Sequence, residues 1–192
     1  MEFEFRAKDG IETSQEFVEV YKIAKDLLDF SKQKDILDKI AQAHKLGAKS
    51  TEIQKILEQK TNELGFRNEA KGLFSKYKTS GLRPDCYKKI SANTGILLEV
   101  ERGKTLANNM DMLDIWKCHI CAEANYLFLI VPQIRQTKKG KDETVYESVK
   151  NRLYSFFDKN NYINVDALFI FWVLTPCNRR YFYVCLWLYT HR

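Results

Sequence analysis

Apolar positions recur at helical spacing through the first third of the chain and run almost without break in several short stretches of its second half. Thr13-Ser-Gln-Glu16 offers a capping box, after which Phe17, Val20, Tyr21, Ala24, Leu27 and Leu28 predict a packing helix. Ile36 to Leu57 reads as two short amphipathic helices turned at Gly47, with Ala43, Gly47, Ile53 and Ile56 at a helix-turn-helix-like spacing. Gly65 would end the second of these, and Phe66 to Tyr77 reads as a further short helix with Leu73, Phe74 and Tyr77 inward. From there the pattern changes. Ile96-Leu97-Leu98 and Tyr126 to Val131 are continuous apolar runs, as expected of central strands covered on both faces. Between them a helix from about Leu106 to Ala124 would bury Leu106, Met110, Leu113, Ile115, Trp116 and Ile120. A second helix, Glu143 to about Lys159, would bury Val145, Tyr146, Val149, Leu153, Phe156 and Phe157 before a strand at Val165 to Val173. Strand, helix, strand predicts parallel strands joined by a right-handed crossover. The runs Ala167 to Leu174 and Tyr181 to Tyr189 are each too short to span a bilayer and read as two strands of a hairpin.

Three carboxylates stand out against this pattern. Asp85 follows Pro84 at the start of a short extended piece, and thirteen residues later an apolar run ends in Glu99-Val100-Glu101. Side chains alternate along a strand, so Glu99 and Glu101 share one face and Leu98 and Val100 the other. If the Asp85 strand pairs with this one, the acids meet at one end of a sheet. Grouped carboxylates repel unless a cation sits among them, and hard oxygen ligands suit magnesium. The plainer alternative is a solvated hairpin edge, but charges at the end of a strand buried on both faces need a reason.

Pro84-Asp85, a gap of thirteen and Glu99-x-Glu101 resemble the PD-(D/E)XK nuclease superfamily, specifically restriction-endonuclease-like members with a second glutamate in place of the usual lysine. The resemblance implies an α/β fold, a central mixed sheet flanked by helices. It also implies that Asp85 and Glu99 bind Mg2+ while Glu101 aligns or deprotonates the attacking water. Lys104 would add a compensating charge, and Glu69 is placed to supply a further acid from the element before the Asp85 strand. The implied activity is a Mg2+-dependent endonuclease of double-stranded DNA leaving 5′-phosphates, in a Type II restriction setting and as a homodimer. A repair or junction nuclease of the same fold, and a non-enzymatic helix-turn-helix DNA-binding protein, are the alternatives. The chain would divide into a helical part, 1–66, with a possible helix-turn-helix at 36–57, and a nuclease core, 67–192.

Composition adjusts this reading in a few places. The net charge is +6 and the sequence pI is about 9.0, a balance that suits a polyanionic partner. In the helix-turn-helix-like unit Lys49, Ser50, Thr51, Gln54 and Lys55 would face a major groove, although two helices joined at a glycine also build ordinary bundles. The loop after the Tyr126 strand holds Gln133, Arg135, Gln136, Lys138 and Lys139, of which glutamine and arginine suit base edges and lysine suits phosphates. Cys118-x-x-Cys121 is half of a zinc site without a matching second half, and small apolar core residues are the better reading. Five cysteines at irregular spacing, with acid where a signal peptide would be basic, lead us to expect a chain of the reducing cytoplasm that does not enter a membrane.

Overall fold

The computed structural model describes residues 1–43, 49–68, 72–75, 77, 82–102, 105–136 and 142–173. The chain opens with strand β1 (Glu2–Ala7) and three helices, α1 (Gln15–Ser31), α2 (Lys34–Ala43) and α3 (Ser50–Glu63). Strands β2 (Arg67–Asn68), β3 (Cys86–Lys89) and β4 (Gly95–Val100) precede α4 (Met110–Ile120) and β5 (Tyr126–Pro132). A small ribbon, β6 (Ile134–Gln136) with β7 (Asp142–Thr144), leads into α5 (Val145–Tyr154) and the strand β8 (Ala167–Val173). The six-stranded mixed sheet has the order β1-β8-β5-β4-β3-β2. Its centre, β8, β5 and β4, is parallel, and β1, β3 and β2 add antiparallel to the outside.

The alternation of side chains splits the core into two layers. Ile96, Leu98 and Val100, Phe128 and Ile130, and Phe169 and Phe171 face Val20, Leu27, Ile40, Ile53 and Leu57 of α1 to α3. Leu97, Leu127, Leu129, Leu168 and Ile170 face Ile115 and Cys118 of α4 and Val145, Val149 and Leu153 of α5. Each fully buried aliphatic or phenylalanine side chain stabilises the fold by about 1.5–3 kcal/mol relative to exposure. Both crossovers that join the parallel strands carry their helix on this second layer, so α4 must pass the end of β4. Among the described residues no helix is long and apolar enough to cross a membrane.

Several expectations need correction. Of the two helix starts the sequence offers, Thr13 and Ser14, the cap is Ser14, whose Oγ accepts from Phe17 N at 3.1 Å. No helix forms at Arg67: that residue and Asn68 pair with Tyr87 and Cys86 as β2, and Gly72 takes φ 87° in the turn that follows. Leu73 and Phe74 are nonetheless buried as the pattern predicted. The helix drawn from Leu106 to Ala124 is shorter, and it is rotated so that Trp116 is exposed while Asp111, Asp114 and Lys117 point inward. The second crossover helix starts at Val145, because Asp142–Thr144 are used in the ribbon. β8 cannot be half of a terminal hairpin, since β5 and β1 occupy both its edges, and residues 174–192 lie outside the described residues. Strand β1 was also unforeseen; in it Phe3 and Phe5 pack on Phe169 while Glu4 and Arg6 are exposed.

Candidate active site

The register of β3 against β4 sets the site. Cys86 lies opposite Leu98, so Asp85, one residue before β3, lies opposite Glu99. Two bonds fix the pair: Asp85 N donates to Glu99 Oε2 at 3.2 Å, and Val100 N donates to Asp85 Oδ2 at 2.8 Å. Asp85 is half-buried and Glu99 is 2 % exposed. Glu101 continues the strand ladder through its N–H to Ile130 O at 2.8 Å, and its half-buried side chain falls on the same side as Glu99. The structure thus brings Asp85, Glu99 and Glu101 to one end of the sheet.

α4 adds two residues that the apolar pattern did not single out. Lys117 Nζ lies 2.5 Å from Glu99 Oε1 and 2.9 Å from Asp114 Oδ1 as an ion pair, with all three side chains almost wholly buried. A signal was present in the sequence: Asp111, Asp114 and Lys117 share the helix face that carries Ile115 and Cys118. Polar residues three apart on a core-facing stripe mark either a buried pair or a site. Arg152 of α5 neutralises the outer end of that row, its Nε 3.5 Å from Asp111 Oδ2 and its guanidinium donating to Asn109 Oδ1 at 2.8 Å.

Electrostatics follow from crowding. Burial, then the neighbouring Asp114 carboxylate, pushes Glu99 well above the usual carboxylate range in spite of Lys117. Glu101 is raised to about 8, first by burial and then by Asp114 and Asp85. Asp114 rises to about 6 by burial, which Lys117 opposes. Burial alone would lower Lys117, but the Glu99 and Asp114 carboxylates outweigh it, and the ammonium is held charged.

The donors fit a hard divalent ion. Asp85 and Glu99 offer carboxylate oxygens from adjacent strands, linked through the Asp85 backbone N–H that donates to Glu99 Oε2, and magnesium needs only one or two carboxylates because it keeps several waters. The buried acids already require a cation, which the Lys117 ammonium supplies. Among the described residues there is no group of three or more His, Cys, Asp or Glu side chains that could hold a metal ion. Glu69 and Lys104 lie outside the described residues. Cys118 and Cys121 are buried in the second core layer, and Cys118 Sγ donates to Ala124 O at 3.8 Å.

The described members of the expected DNA-contacting set lie on the two sides of this end of the sheet. Lys49, Thr51 and Lys55 of the α3 region are exposed, and Ser50 and Gln54 are half-exposed. Glu52, in the first turn of α3, opposes the lowering that burial imposes on Arg102, which places that turn within electrostatic reach of the residue after Glu101. On the other side, β6 leaves the same end of β5. Gln133 N donates to Val173 O at 3.0 Å, and Arg135 is paired with Glu143 across the ribbon at 2.5 Å. Lys138 and Lys139 lie outside the described residues, as does Gly47.

No family model and no curated protein matches the chain. Among solved structures it is similar to the crystal structure of restriction endonuclease BglII complexed with a DNA 16-mer, with a TM-score of 0.50 and 14% identity over 90% of this chain and 78% of that one. At that identity the likeness is one of backbone architecture, and it agrees with the strand order and flanking helices described above. The chain has a restriction-endonuclease-like α/β fold, with its buried acids at the finish of the central parallel strands.

Proposed function

We propose that this protein is a metal-dependent endodeoxyribonuclease that hydrolyses phosphodiester bonds of double-stranded DNA. The observation that carries the reading is the Asp85–Glu99 pair, two carboxylates locked across β3 and β4 at the end of a buried sheet. Its support is the fold shared with an endonuclease that was crystallised on DNA, together with a net charge of +6.

Asp85 and Glu99 would hold Mg2+. A divalent ion held there supplies the charge that lowers the pKa of a nearby water and offsets charge on the scissile phosphate. The chain's own part is to place and deprotonate. Glu101, on the same side of β4 and less buried than Glu99, would align the attacking water and accept its proton. The water oxygen bonds to phosphorus as the P–O3′ bond breaks, the leaving 3′-oxygen takes a proton from solvent, and the products are a 3′-hydroxyl and a 5′-phosphate. Glu69 and Lys104 would assist from the segments on either side. Lys49, Ser50, Thr51, Gln54 and Lys55, with Gln133, Arg135, Lys138 and Lys139, would contact DNA from the two flanks. Restriction of foreign DNA by a homodimer is the setting we favour, since a two-fold enzyme matches a palindromic site.

The test is a digest of a mixed plasmid library with Mg2+, with and without chelator, by wild type beside Asp85→Ala. Discrete sequence-defined bands that vanish with chelator and in the variant support the restriction reading. Structure-dependent nicking points to a repair or junction enzyme, and DNA binding without cutting points to a regulator that uses α2 and α3.

A further inference from the structure

We propose that Lys117 is the built-in counter-ion of this site, holding on Glu99 the place that a divalent cation takes and withdrawing onto Asp114 when that cation enters. The inference rests on the assignment of Asp85 and Glu99 as the divalent site and deepens it into a rule for metal entry.

The geometry supplies both positions of the ammonium. Lys117 Nζ is 2.5 Å from Glu99 Oε1 and 2.9 Å from Asp114 Oδ1. Glu99 Oε2 is already held by Asp85 N at 3.2 Å, so Oε1 is the oxygen the lysine covers. Asp114 sits three residues before Lys117 on the same helix and is 0 % exposed, and among the described residues its Oδ2 meets no hydrogen-bond donor. A buried carboxylate oxygen left without a partner is destabilising, and an ammonium moving fully onto Asp114 would satisfy it. Neither state strands a charge. Without a divalent ion, Lys117 serves both carboxylates; with one, Lys117 and Asp114 form a neutral pair within α4 while Glu99 is partnered by the incoming ion. A purely structural ion pair accounts for the same contacts, but it does not predict that removing the lysine improves cation binding.

The experiment measures Ca2+ affinity of the full chain by calorimetry without DNA, for wild type, Lys117→Met, Lys117→Arg and the double variant Lys117→Met/Glu99→Gln. The expected result is Ca2+ binding tightened at least about tenfold by Lys117→Met, since a unit charge at ion-pair distance is removed. Lys117→Arg should stay near wild type, and the double variant should lose the gain. Affinity that is unchanged or weaker in Lys117→Met, or equally tightened by Lys117→Arg, overturns the proposal. If Lys117→Met is unfolded in chelator, the proposal requires Ca2+ to restore the fold, and a variant unfolded in both conditions overturns it. The two readings fail separately. A wild type that cuts DNA with Mg2+ while Lys117→Met gains nothing removes only the counter-ion. A chain that never cuts yet gains Ca2+ affinity in Lys117→Met removes only the nuclease.

Discussion

At the start of the parallel strands charges are matched, and at their finish they are crowded. Just before β8, Asp166 takes Lys8 Nζ at 2.9 Å and the amide of Asn125, while backbone bonds link Lys8 to Asp166, Asp166 to Asn125 and Asn125 to Gly95. These groups tie β1, β8, β5 and β4 together, and each charge has a partner across the sheet. At the other end Lys117 pairs with Glu99 and Asp114, Asp85 and Glu101 lie within electrostatic reach, and Glu99, Glu101 and Asp114 are all pushed upward. Burying like charges together works against folding. The fold matches its charges at one end and crowds like charges at the other, which is the contrast expected between a structural polar cluster and a site.

Substitutions at the two ends should therefore fail in different ways. The largest effect is expected from Asp85→Asn, which keeps an oxygen to accept from Val100 N and removes only the charge. Plasmid cleavage should fall at least about 100-fold, the scale of losing one transition-state electrostatic contact, with the melting temperature unmoved. A parallel loss of stability would make Asp85 structural instead. Gly95→Ala, at the matched end, should do the reverse. Its new Cβ would lie 2.5 Å from Glu123 O, 2.6 Å from Tyr87 Cε2 and 2.9 Å from Lys88 O, two of them backbone atoms. Thermal melts should show a loss of about 1–3 kcal/mol, with cleavage per folded molecule unchanged.

Asp166→Ala should be milder, about 1 kcal/mol, because the Lys8 pair is partly open to water, and it too should leave cleavage alone. Lys55→Ala should have the smallest effect. The side chain is exposed on α3, and losing one phosphate contact should weaken DNA binding a few-fold and reduce the salt slope by about 1 in a salt-dependent binding titration. An unchanged slope would take α3 out of the DNA interface.

The contrast between the ends also shows what was legible in the chain. β4, β5 and β8 could be read because strands buried on both faces leave uninterrupted apolar runs, and Asp85 and Glu99 could be read because a charge beside such a run has no other excuse. Lys117 and Asp114 were harder to find. On a helix that also carries Trp116 and Leu113, period alone does not say which stripe turns inward, and the apolar stripe chosen left the polar row outside. The helix in fact exposes Trp116 and buries the charges, because Glu99 waits on the sheet beneath them. β1 was missed for another reason. Phe3 and Phe5 alternate with Glu2, Glu4 and Arg6, but the strand exists only through pairing with Ala167–Trp172, at the far end of the sequence. The short strand β2 likewise depends on Tyr87 and Cys86, and an apolar spacing that suits a helix gave way to that pairing.

The central claim, that Asp85 and Glu99 together hold one divalent ion, is tested most directly by titrating Mn2+ into the DNA-free protein and following it by electron paramagnetic resonance. Wild type should show a saturable site, and Asp85→Asn and Glu99→Gln, both folded, should each lose it. Binding that survives in both variants, or a wild type that takes up no Mn2+, would contradict the account.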